Sequence, residues 1–250
     1  MIRPIRYQVA ISYINDEKYD KAIKILSQIG DYRDSHWYKD QALIKRQLDN
    51  LDGIFVGTRV EFGVYELDNN EKNGNENLTW TVVAVENGKA LLLCEQVVAC
   101  KKFNNSGDCT WADSSIRAWL NNSFYDDAFN KSLKNRIVDT YHMNTERWYI
   151  DRVENNCTYW CSEENGYGTE DRVFLISLDE IFKYKENYGW FYGYNYPSYN
   201  GIEEEAELGW MTRSTGSYGN ICVVEREEGI SYVNCKQERA VCPAIWITIE

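Results

Sequence analysis

The chain has 250 residues, 44% hydrophobic and 14% aromatic, which is enough for a packed core and excludes global disorder. Its formal net charge is −12, unevenly placed: residues 1–50 hold 9 Lys and Arg against 7 Asp and Glu, and residues 51–250 hold 18 against 32. A second part this acidic repels phosphate backbones and argues against nucleic acid as a partner.

Residues 4–50 read as helices. Ile5, Val9, Ile11 and Ile14 recur at helical spacing, and Asn15-Asp16 breaks the pattern and can cap the next helix. That helix, over 17–29, carries Tyr19, Ala22, Ile23, Leu26 and Ile29, and Gly30 ends it as a C-cap residue does. A third helix runs over 34–48 with Trp37, Ala42, Leu43 and Leu48 inward. The stretch from Tyr19-Asp20-Lys21-Ala22 to Gly30-Asp31-Tyr32-Arg33-Asp34-Ser35 resembles a tetratricopeptide-type repeat, a unit that stacks helix pairs and serves as a spacer or a partner dock.

Leu51-Asp52-Gly53 marks a boundary, so the reading is a helical segment over 1–52 and an α+β domain over 53–250. Past it the hydrophobic period falls to two: Val60, Phe62 and Val64 alternate with Arg59, Glu61 and Gly63. Residues 66–77 are polar and form a loop; 78–85 and 90–94 are strands joined at Asn87-Gly88, a strong hairpin signal. Helices follow over 114–121, 123–129 and 131–139, then a short buried strand over 173–176. Ser177 and Glu180 stand at capping-box spacing ahead of a helix to 184. Four more strands are expected over 208–212, 221–225, 230–233 and 244–249. Strands at both ends with helices between them give an α+β class.

No apolar run reaches the roughly 20 residues of a membrane span. Met1-Ile2-Arg3-Pro4 opens no signal-peptide core, so the chain reads as cytoplasmic with no membrane role, or as surface-anchored if it is a fragment. The eight Cys are therefore expected to be reduced and mostly buried. Cys157 and Cys161 have a metal-like spacing, but no second close pair accompanies them, and neither a metal nor a cofactor is expected.

Several blocks in the second part resemble a large bacterial family of unknown function. They are Phe62-Gly63-Val64-Tyr65, Trp80-Thr81-Val82-Val83, Ala90 to Leu93, Thr110-Trp111 through Asn121, Asp171 to Ser177, Trp210 to Gly216, and Val241 to Ile247. The C-terminal blocks look like those of C-type-lectin-like domains. That resemblance implies a mixed fold whose first and last strands meet, pairing 60–65 with 244–249, and ligand recognition by long loops. Calcium-dependent sugar chelation is not implied, because the Glu-Pro-Asn, Gln-Pro-Asp and Trp-Asn-Asp motifs are absent. Trp111, Arg117, Trp119, Asn121, Trp210 and Arg213 form the architectural boxes, with Trp119 inward and Arg117 paired to a carboxylate.

The aromatic residues Tyr188, Trp190, Tyr192, Tyr194, Tyr196 and Tyr199, interleaved with Gly and Asn, have the chemistry of a paratope, and Tyr218 and Asn220 repeat it. The expected function is therefore a non-catalytic module that binds a protein or a carbohydrate. Two alternatives stand beside it: an enzyme of the formylglycine-generating-like branch using two of Cys222, Cys235 and Cys242, and a scaffold that docks partners through its helical segment.

Overall fold

The computed structural model describes residues 2–70, 72–106, 110–144, 146–153, 156–163, 168–184, 209–216, 219–225 and 229–249, with 146–153 and 156–163 considered as backbone alone. The chain divides into two compact units, Met1–Ile54 and Phe55–Glu250.

The first unit holds α1 (Arg3–Asn15), α2 (Tyr19–Ile29) and α3 (Ser35–Asp49). Pro4 sits in the first turn of α1, where its missing N–H has no intrahelical acceptor to lose. Tyr7, Ala10 and Ile14 of α1, the Tyr19, Ala22, Leu26 and Ile29 stripe of α2, and Ala42 of α3 form one buried cluster. Gly30 closes α2 at φ +56°, a conformation that glycine adopts without a Cβ penalty. Asn15-Asp16 does not cap α2. Its N-cap position is Lys18, with no side-chain cap, and Glu17 turns the chain at φ +59°. Trp37 is not inward either: it is 58% exposed. Tyr38 takes that place, edge-on to Tyr7 at 5.9 Å, because Tyr38 and Ala42 are four residues apart on one helix face and Trp37 lies about 100° round from it.

The second unit begins with β1 (Arg59–Tyr65), β2 (Glu76–Glu86), β3 (Lys89–Cys94) and β4 (Ala99–Lys102). Next come α4 (Ser115–Trp119), a π-helical turn (Leu120–Phe124), α5 (Tyr125–Ala128) and α6 (Lys131–Lys134). After them run β5 (Thr140–His142), β6 (Glu146–Val153), β7 (Asn156–Glu163), β8 (Thr169–Asp171), β9 (Phe174–Leu175) and α7 (Leu178–Tyr184). The chain closes with β10 (Trp210–Thr215), β11 (Asn220–Glu225), β12 (Gly229–Asn234), β13 (Glu238–Val241) and β14 (Pro243–Thr248).

One sheet has the order β1-β2-β3-β14-β9. A second runs β12-β11-β10-β13-β4, with β6 also pairing to β10 and β7 to β6, and β5 pairs with β8 in a third. The domain is thus mixed α and β. The C-terminal strand does not meet the first one: β14 pairs with β3, Ala244 opposite Leu93, and β1 pairs with β2. The cause is local. Asn87 at φ +51° and Gly88 at φ +71° make a turn with both central residues left-handed, which holds β3 against β2. The far edge of β2 is taken by β1, so the edge open to β14 is that of β3.

Phe62, Trp80, Phe124 and Phe129 meet in the core, with ring centroids 5.7 Å (Phe62 to Phe129) and 6.0 Å (Phe124 to Phe129) apart. Trp80 Nε1 donates to the Phe62 carbonyl at 2.7 Å, where the β1–β2 register shifts. Gly63, at φ +88°, makes that bulge feasible: a Cβ there would lie 2.8 Å from the Ala128 carbonyl oxygen.

Candidate functional site

The family-like boxes build two buried charge knots. Asp171 ends β8 with its side chain wholly buried. Its Oδ2 accepts from Trp111 Nε1 at 2.8 Å and Thr169 Oγ1 at 2.7 Å; its Oδ1 accepts from Arg117 Nε at 2.6 Å and Asn121 Nδ2 at 3.3 Å. Asn121 also donates to the Val173 carbonyl at 2.8 Å and accepts from the Arg172 amide at 2.8 Å. A carboxylate saturated in this way joins α4 to β8 and has no lone pair left for a substrate.

In the second knot Arg213 grips Glu180 in bidentate fashion, 2.6 and 3.0 Å, and Arg213 Nη1 also donates to the Leu175 carbonyl at 2.8 Å. Burial opposes ionisation of Glu180, but Arg213, together with the Ser177 amide, outweighs it and holds the carboxyl below its ordinary range. Ser177 and Glu180 close the capping box reciprocally, the Ser177 amide donating to Glu180 Oε2 at 2.8 Å and the Glu180 amide to Ser177 Oγ at 3.1 Å. His142 is buried beside this knot, its ring centroid 4.3 Å from that of Phe174 and its Nε2 buried without a hydrogen-bond partner. Burial first, then the neighbouring Arg213, pushes its pKa down to about 4, so it is neutral at pH 7.

The cysteines are ill placed for thiolate chemistry. Cys222 and Cys242 are 0% and 2% exposed, and burial pushes both thiols up. Cys235 departs from the expectation of reduced thiols: it is disulfide-bonded. Cys157 and Cys161 lie on one strand, β7, whose rise separates their Cα atoms by about 13 Å. Glu66, Asp68 and Glu76 bring carboxylate oxygens within 4.8 Å of one another. Those oxygens accept from the loop amides of Leu67 and Asn70 and from the Asn73 side chain.

Clefts open among the described residues of this unit, and two of them bear on a site. One, of about 280 Å³, is walled by Glu86, Asp139, Tyr141 and Trp246. Its carboxylates are engaged: Glu86 accepts from Lys183 at 3.0 Å and from Tyr184 at 3.1 Å, and Asp139 from Arg172 at 3.0 Å. The other, of about 370 Å³, lies between β4 and the start of α4, lined by Lys101, Lys102, Asn105, Ser115, Trp119 and Glu238. Ser114 caps α4 by accepting from the Arg117 amide at 3.2 Å, and the Ile116 amide donates to the Phe103 carbonyl at 3.1 Å, which seats the helix at the end of β4. Trp119 is therefore only half inward. Its indole packs on Phe124 at 5.3 Å and carries the Lys101 ammonium 4.7 Å above the ring centre.

Of the residues read from sequence as architecture, Trp111, Arg117 and Asn121 gather at the first knot, Arg213 at the second, and Trp210 is buried in β10. Of the paratope set, Tyr188, Trp190, Tyr192, Tyr194, Tyr196, Tyr199 and Tyr218 lie outside the described residues. Asn220 opens β11, half-buried, opposite Asn234. The cleft on β4 was not legible, since Ala99-Cys100-Lys101-Lys102 has neither a turn signal nor clear alternation. Its only trace is a pair of adjacent lysines in an acidic domain.

A family model described as a domain of unknown function, DUF6273, matches residues 87–249, well over half of the chain. No curated protein and no solved structure matches.

Proposed function

The chain belongs to the DUF6273 family of domains of unknown function, and from its own geometry we propose that it is a non-catalytic module that recognises a protein or carbohydrate ligand. The observation that carries this reading is the cleft of about 370 Å³ on β4, a size that suits a small ring and a chemistry that mixes one aromatic wall with several polar groups. The aromatic segment around Tyr188–Tyr199 belongs to the same proposal as a second contact surface. Display of ligands by loops of a C-type-lectin-like domain is the fold-level analogy behind it, although the strand pairing expected from that analogy is not formed.

The chemistry of the knots supports recognition over catalysis. His142 is neutral, buried and unpartnered, and the thiols of Cys222 and Cys242 are held protonated by burial. Neither group meets the reach and activation that a nucleophile and its base require.

The reading is tested on glycan and protein arrays with the wild type, Trp119→Phe combined with Lys101→Met, and Tyr192, Tyr194 and Tyr196 together changed to Ala. Loss of an array ligand in either variant, at an unchanged unfolding midpoint, is the expected result. Arrays without a binder, or a binder that both variants keep, would sink it.

A further inference from the structure

Charge in the β4 cleft runs against the charge of its domain. β4 and β13 pair antiparallel with Lys101 opposite Arg239 and Lys102 opposite Glu238. Residues directly opposite share a face, and like charges so placed repel. No described carboxylate forms an ion pair with Lys101, Lys102 or Arg239. The Lys101 ammonium sits over the Trp119 ring. Arg239 spends its donors on the Glu238 carbonyl and, weakly, on Gln237, and its Nε is buried with no acceptor. Two lysines against one Glu in the lining, with Arg239 beside Lys101 on β13, in a part of the chain with 18 basic and 32 acidic residues, is a local reversal of sign without a counter-ion among the described residues.

From this we infer that the cleft takes an acidic sugar: a ring whose carboxylate meets Lys101 and Lys102, whose hydroxyls meet Asn105, Ser115 and Glu238, and whose apolar face meets Trp119. Two ammonium groups supply charge-assisted bonds to an oxyanion, and Arg239 beside Lys101 adds to the same field. Ser115 Oγ donates to the Phe103 carbonyl at 3.3 Å, which leaves its lone pairs able to accept from a hydroxyl. The indole supplies the wall that a bare phosphate would not need, and a volume of about 370 Å³ is large for a bare phosphate. This inference rests on the binding-module reading and specifies the ligand of one of its sites.

The test follows the Trp119 indole N–H resonance, assigned with Trp119→Phe, in the full chain titrated separately with glucuronate, glucose and inorganic phosphate. Glucuronate should shift it saturably. Glucose and phosphate should each bind at least about tenfold more weakly, and Lys101→Met and Arg239→Met should weaken glucuronate by a similar factor. Lys102→Glu, an exposed change, keeps the test open if either of the others unfolds, and it should weaken glucuronate too. A Trp119 signal unmoved by glucuronate overturns the inference. Glucose binding as tightly, unaffected by Lys101→Met, overturns the acidic part. Phosphate binding as tightly overturns the ring. An array ligand that perturbs other residues and leaves Trp119 unmoved overturns this inference while the binding-module reading stands.

Discussion

Asp171 shows how single residues are held to architectural work. Four donors converge on one buried carboxylate, and Arg117 supplies the only formal countercharge among them. Removing one member of a buried pair strands the other, so Asp171→Leu should cost about 3–5 kcal/mol in urea unfolding. Adding Arg117→Met to that variant should recover part of the loss, since a paired apolar replacement leaves no buried charge behind. His142 makes a pH prediction. Its folded pKa of about 4 lies below the ordinary value of 6.5, so the unfolded chain takes up its proton first. Its contribution is therefore complete above pH 6.5 and lost as pH falls toward 4. The wild type should lose on the order of 3 kcal/mol from this group across that window, and His142→Phe should flatten the slope of unfolding midpoint against pH.

At the level of elements, stability rests on a few local devices that join neighbours. The bulge in β1 needs Gly63, because its φ is +88° and the nearest obstacle to a Cβ is backbone oxygen, which cannot rotate away. Gly63→Ala should cost at least about 2 kcal/mol, read from thermal unfolding. The capping box of α7 is a milder case. Ser177→Ala removes one of two reciprocal bonds and should cost about 1 kcal/mol. That variant keeps the Ser177 amide that donates to Glu180 Oε2, so Arg213→Met, which strips the carboxylate of its charged partner, should cost more than Ser177→Ala.

For the whole molecule the two units raise a question of division of labour. The first has its own cluster of eight buried residues, and the cleft lies wholly within the second. A fragment spanning 55–250 should therefore bind any ligand of the cleft with the affinity of the full chain, measured by calorimetry. If binding disappears with the helical unit, the scaffold reading gains and the spacer reading fails. No described helix is long and apolar enough to cross a membrane, which agrees with the hydropathy of the sequence.

Sequence alone determined the features whose physics is local. The helices of the first unit follow from stripes such as Tyr19, Ala22, Leu26 and Ile29; the β2–β3 hairpin follows from Asn87-Gly88; the start of α7 follows from Ser177 and Glu180 three residues apart. In each case the partners lie within a few residues, so spacing carries the answer. Tertiary structure decided what depends on distant partners. Trp37 and Tyr38 are adjacent aromatics, and only packing against Tyr7 chose the second for the core. Arg117 calls for a carboxylate, but nothing local selects Asp171, 54 residues away. The last strand joined β3 and not β1 because β2 had already taken the place between them. The cleft is the extreme case: β4, β13 and α4 bring Lys101, Glu238 and Trp119 together, and a set drawn from three separate elements has no periodicity from which it could be read.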